Sequence, residues 1–242
     1  MESRETRSDY AGGELFALPS LQAAAHELKS PLALVRQLSL ALEAGDLNNN
    51  EVADYLRRIR LTSERSLALV DDLTLASKLD ENTLFELEPL NPLAVCEAIV
   101  DEMSPLYSAR ERKLILRPKT RQSLVIANKR LLVGILRQFI DNALHYADAN
   151  SRVELTTMSA RDQKTVRIGV RDYGPAVASD IWRRASGEGT QPVARRPGSS
   201  GLGLYIAKQF ADNMGANLGV VRHRDGATFY VTLRTSTQIS LV

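Results

Sequence analysis

Four short stretches of this chain carry side chains suited to nucleophilic attack and to holding anions or cations. The first is HELKSPL, residues 26–32. An imidazole at His26 with an ordinary pKa near 6.5 keeps a free lone pair at neutral pH and can act as a nucleophile. Glu27 can take the proton from the other ring nitrogen, and Ser30 falls one helical turn on, over the same face. The second stretch is QFIDNALHYA, in which Gln138, Asn142, His145 and Tyr146 share one helical face apart from the apolar one. An asparagine amide offers oxygen to a hard cation and NH2 to phosphate oxygen. The third, IGVRDYGPAV, is an apolar run ending in Asp172 and a Gly-Pro turn at Gly174. A carboxylate at such a strand end can accept a hydrogen bond from an exocyclic amine; Asp-x-Gly is equally a common turn. The fourth, GSSGLGLYIAKQF, opens a helix with Gly201 and Gly203, which lets backbone N–H groups approach an anion. No Gly-Lys-Ser/Thr follows, so it is not a P-loop.

These stretches need elements to position them. Leu21, Ala25, Leu28, Leu32, Val35 and Leu42 recur at alternating threes and fours, a heptad-like seam broken only by Ser39. His26 then sits about 100° from the seam, at its solvent edge. Pro31 cannot donate to the carbonyl of Glu27, which predicts a bend one turn past the histidine. AGDLNNN, residues 44–50, reads as a turn, and Val52, Leu56, Ile59, Val70, Leu73 and Ala76 mark a second helix. Two antiparallel helices enclose no core, so the hairpin needs a cover. A second copy forming a four-helix bundle is the economical one, and the C-terminal half of the same chain is the alternative.

EPLNPL, residues 88–93, breaks the register, and a boundary falls near residue 87. The organisation expected is a lead-in at 1–18, a helical hairpin at 19–87 and a second domain at 88–242. In that domain helices over 92–110, 128–147 and the GLGL run alternate with strands at KLILRP, SLVIA, RVELTTM, TVRIGVRD, LGVVRH and ATFYVTLR. That pattern predicts a two-layer α/β sandwich, one sheet with helices on one face. A loop rich in Gly, Pro and Arg spans 186–200.

Composition narrows the class. The chain has 242 residues and a formal net charge of +2, with no charge run that argues for nucleic acid. Its single cysteine, Cys96, excludes an internal disulfide and any CxxC motif, and fits a reducing, cytoplasmic setting. No apolar run reaches the roughly 18 residues of a membrane span, so this segment is expected to make no membrane contact, though it would equally suit the cytosolic part of a membrane-bound sensor.

The order HELKSPL, IDNALHYA, VRDYGPAV, SSGLGL resembles the catalytic core of two-component sensor histidine kinases over about residues 19–235. The resemblance implies a dimeric helical bundle carrying ATP-binding α/β sandwiches of the kind shared with gyrase and the Hsp90 chaperone. It implies His26 as phospho-acceptor with Glu27 as acid/base partner, and Ser30 at the position that positions water in many relatives. Asn142 would hold Mg2+, with His145 and Tyr146 at the phosphates. Asp172 and Gly174 would meet the adenine, and Gly201, Leu202 and Gly203 the phosphates, with 186–200 as an ATP lid. The partners implied are a second copy and a response regulator whose aspartate accepts the phosphoryl group. The chain departs from the family at Ala176 (usually glycine), Tyr173 (commonly asparagine), Gln138 (often asparagine), His145 (often lysine) and Ser30 (threonine or asparagine). Those departures leave one alternative, a dimeric scaffold that binds a regulator without ATP turnover.

Overall fold

The computed structural model describes residues 21–79, 85–118, 123–146, 151–174 and 202–236. Helix α1 (Leu21–Ala44) runs through Pro31 without ending there, and Gly45 follows it with a positive φ of 77°. Helix α2 (Asn49–Leu79) begins with a reciprocal cap. Asn48 Oδ1 accepts from the backbone N–H of Asn50 and Glu51 at 3.0 and 3.1 Å, and Glu51 Oε2 accepts from Asn48 N–H at 2.8 Å. Two orphan helix donors and the entry N–H are thereby satisfied by the NNNE run that sequence reads as a turn.

The seam differs from the one the spacing predicts. Leu38 is buried, and Pro31 and Leu34 converge with Leu61 and Leu69 of α2, whereas Ala25 and Leu32 face outward, Leu32 with 61% of its surface exposed. On α2, Leu56, Leu67 and Val70 are exposed as well. The physical reason is geometric: α1 and α2 pack on each other and meet the second domain on one side only, so a stripe wider than those contacts stays partly uncovered.

Helix α3 (Pro92–Ser108) starts where NPL predicts, with Asn91 accepting from Leu93 N–H at 3.0 Å and Pro92 in the first turn. Strand β1 (Glu88–Leu90) was not legible in EPLNPL. It exists by pairing antiparallel with β3 (Val125–Ala127), not by local propensity. The main sheet has five strands: β2 (Lys113–Pro118), β4 (Arg152–Ser159), β5 (Thr165–Arg171), β7 (Gly226–Arg234) and β6 (Asn217–His223), in that spatial order. The β2–β4 pair is parallel and the others are antiparallel.

Helices α3, α4 (Lys129–Tyr146) and α5 (Leu202–Asn213) contribute to one hydrophobic core with this sheet. Leu132, Ile135, Leu136, Phe139, Ile140 and Leu144 of α4 are all fully buried, and Phe139 meets Phe229 of β7 at 5.9 Å between ring centroids. Each such side chain contributes roughly 1.5–3 kcal/mol of burial. Leu75 and Ala76 at the end of α2 join the same core, so the hairpin is covered in part by its own chain. Cys96 is buried there and its thiol pKa is pushed up to about 12, chiefly by burial. Among the described residues no helix is long and apolar enough to cross a membrane.

Candidate active site

Asp172 stands one residue past β5, where the antiparallel β5–β7 ladder fixes it. Its N–H donates to Ala227 O at 2.9 Å, and its Oδ1 accepts from Ala227 N–H at 3.3 Å. The carboxylate is fully buried. Gly226 makes this approach possible: its φ is +127°, and a Cβ there would stand 2.2 Å from the backbone oxygen of Asp172 and 2.8 Å from its Oδ1. Gly174 is buried just beyond. Tyr173, between them, stacks under the guanidinium groups of Arg171 at 4.4 Å and Arg152 at 5.3 Å.

The polar face of α4 turns toward the hairpin. Gln138 is buried and donates from Nε2 to Asp72 Oδ2 of α2 at 2.8 Å. Its Oε1 lies where Gly203 has no side chain; a Cβ on Gly203 would meet it at 2.6 Å. Arg137 reaches Asp72 at 3.7 Å and Glu102 at 2.9 Å. One turn along, Arg65 Nε of α2 donates to Asp141 Oδ2 at 3.1 Å. Burial raises the pKa of Asp72 above its ordinary value, opposed by Arg137 and by the Gln138 hydrogen bond. Partial burial, then Arg65 and Arg110, lower the pKa of His145, opposed by Glu27.

Between the two halves lies a cavity of about 300 Å³. The α1 side supplies Glu27, Ser30 and Pro31; the α4 and α5 side supplies Asn142, His145, Leu202 and Gly203. Asn142 Nδ2 and Asp141 Oδ1 are buried without hydrogen-bond partners among the described residues. An unpartnered buried amide donor lining one cavity with Gly203, and a buried carboxylate at a strand end, are groups that suit a phosphorylated adenine nucleotide. The structure therefore brings Glu27, Ser30, Asn142, His145, Leu202 and Gly203 to one cavity. Asp172 and Gly174 sit at the end of β5 and do not line it. The side chains of His26 and Tyr146, together with Gly201, Ala176 and the 186–200 loop, lie outside the described residues.

Two family patterns match this layout. Residues 20–82 match the "His Kinase A (phospho-acceptor) domain", and residues 127–237 the "Histidine kinase-, DNA gyrase B-, and HSP90-like ATPase". The chain carries both domains of a histidine kinase catalytic core. The core is 26% identical over 220 residues to histidine protein kinase SaeS of Staphylococcus epidermidis, covering 88% of this chain and 62% of that protein. It spans about three fifths of the length of that relative. Among solved structures, full-length ShkA in complex with AMPPNP superposes at TM-score 0.57 with 25% identity, covering 91% of the kinase core and 47% of ShkA. Histidine kinase ThkA in complex with response regulator protein TrrA superposes at 0.57 with 13% identity, covering 88% and 60%.

Sequence reasoning missed Arg65, Asp72 and Asp141. One signal was available for Asp72. It follows Leu69 and precedes Ala76 at helical spacing, a carboxylate in phase with residues that pack on the second domain. Gln138 was read from the resemblance as an amide substitute; its partner on α2 is set only by the docking of the two halves.

Proposed function

We propose that this core is an ATP-dependent protein-histidine kinase that phosphorylates His26 and passes the phosphoryl group to an aspartate of a response regulator. The observation that carries this is the shared cavity, in which Glu27 and Ser30 of the phospho-acceptor helix face Asn142, His145 and Gly203 of the ATP-binding domain.

The residues take these roles. Asp172 accepts a hydrogen bond from the adenine amine, held in place by Ala227. Asn142 would hold the Mg2+ that accompanies ATP, and Gly203, whose missing side chain admits Gln138 Oε1, would offer backbone to the phosphates at the start of α5. Mg2+ held there would neutralise charge on the transferring group. The lone-pair nitrogen of His26 attacks the γ-phosphorus; the P–N bond forms as the bond to the β-phosphate oxygen breaks and ADP leaves. Glu27 takes the proton from the other ring nitrogen. His145 donates a ring N–H to phosphate oxygen.

The exposed Leu32, Leu40, Leu56, Leu67 and Val70 give the hairpin a face for a second copy, consistent with a homodimeric bundle. The response regulator would dock near Pro31, as one structural neighbour is solved with such a partner. This segment acts in the cytoplasm in this reading, as the cytosolic part of a longer sensor or alone.

The test is labelling with γ-radiolabelled ATP and Mg2+. Wild type gains acid-labile label, and His26→Ala gains none. Label that persists in His26→Ala shows the acceptor to be another residue. Calorimetric titration of Asp172→Ala should lose the Mg·ATP binding seen in wild type.

A further inference from the structure

Resting on the kinase reading above, we propose that Arg65 and Asp72 are positioning residues that register the ATP-binding domain on the phospho-acceptor helix of the same chain. They hold the turn of α4 that leads to the candidate nucleotide ligand Asn142. Asp72 holds Gln138, one turn before Asn142, and Arg65 holds Asp141, its immediate neighbour.

Gln138 is the central link. Because its Nε2 donates to Asp72, its amide plane is fixed and Oε1 is aimed at Gly203. One amide thus spans α2, α4 and the first turn of α5. An asparagine, shorter by one methylene (about 1.5 Å of reach), cannot touch both Asp72 and Gly203 from the same backbone. The glutamine is therefore matched to the aspartate on α2, and the position of the phosphate-binding turn depends on where the hairpin sits.

The second contact fixes rotation about the first. Arg65 and Asp72 lie two turns apart on α2, about 10.5 Å along the axis. Two anchors at that separation prevent the domain from pivoting, where one would not. With both made, Glu27 and Ser30 of this chain's own α1 face Asn142, His145 and Gly203 across one cavity. Docked this way, the domain is held against the α1 of its own chain. Transfer accordingly runs within one chain.

The two polar contacts sit beside an apolar one, since Leu75 and Ala76 at the end of α2 pack into the core of the second domain.

The test separates positioning from binding. Arg65→Glu should lower the rate of His26 labelling at saturating Mg·ATP about 10- to 100-fold, with the KM for ATP within twofold of wild type. Arg65→Asp combined with Asp141→Arg should recover at least a third of the wild-type rate. In a mixture of His26→Ala and Asn142→Ala chains, neither should be labelled. An unchanged or increased rate in Arg65→Glu, no recovery in the charge swap, or label appearing in the mixture overturns the proposal. Failure of the kinase reading looks different, because wild type itself would take up no label.

Discussion

The two sides of α4 differ in kind. Toward the sheet it presents Leu132, Ile135, Leu136, Phe139, Ile140 and Leu144, none accessible to water. Toward the hairpin it presents Gln138, Asp141, Asn142 and His145, bound to α2 by a hydrogen bond and an ion pair. Separating the first interface exposes a whole core and unfolds the domain. Separating the second lets water replace a few polar partners and uncovers only Leu75, Ala76 and their neighbours at the end of α2. A single helix can therefore belong permanently to one body and reversibly to another. Asn142 and His145, proposed to face the nucleotide, lie on the hairpin side, where a change in docking is felt.

The largest effect should come from the dry side. Phe139→Ala is expected to remove about 3–5 kcal/mol of stability from the ATP-binding domain. Urea denaturation followed by far-UV signal measures it; a loss below about 1 kcal/mol would mean that the sheet face is not the stabilising one.

Next comes the β6–β7 turn. Gly226→Ala places a Cβ against Asp172 at a φ of +127°. The expected cost is about 1–3 kcal/mol of strain, with displacement of Asp172 and loss of Mg·ATP binding by calorimetry. Retained binding would mean that Asp172 does not read the nucleotide.

A smaller effect separates the two sides by pH. The folded pKa of Asp72 is raised above 3.8, mainly by burial, so folding favours its protonated form. That contribution is fully present below the ordinary value and is lost as pH rises through the raised one. Across that window, the melting temperature of wild type minus that of Asp72→Asn should fall with rising pH. A flat difference would mean that the seam is open to water.

The smallest effect belongs to Arg65–Asp141. Raising salt from about 0.1 to 1 M shortens the Debye length from about 10 to 3 Å and should weaken seam protection by under about 1 kcal/mol. Amide hydrogen exchange would then quicken in α2 near Arg65 while β5 and β7 stay protected. Equal quickening in both would join the two sides into one cooperative unit.

Much of this was legible from sequence because it is local. The strands from KLILRP to ATFYVTLR, the apolar stripe of α4 and the start of α3 after EPLNPL each follow from neighbours within a few residues. The ordered motifs carried the kinase resemblance for the same reason, since each is a short run shaped by its own chemistry. Strand β1, the exposure of Leu32, the Asp72–Gln138 contact and the closeness of Gly226 to Asp172 were not legible. Each depends on residues far apart in the chain meeting at particular distances, which periodicity does not encode.

The sequence by itself determined the helical hairpin, the α/β sandwich and the types of side chain available for phosphoryl chemistry, because propensity, period and side-chain chemistry are properties of short segments. Only the tertiary structure decided that Glu27 and Ser30 share a cavity with Asn142 and Gly203 in one chain. That outcome rests on how two separately patterned bodies pack, and a few polar contacts of small net energy, made across sixty residues and more, select the arrangement.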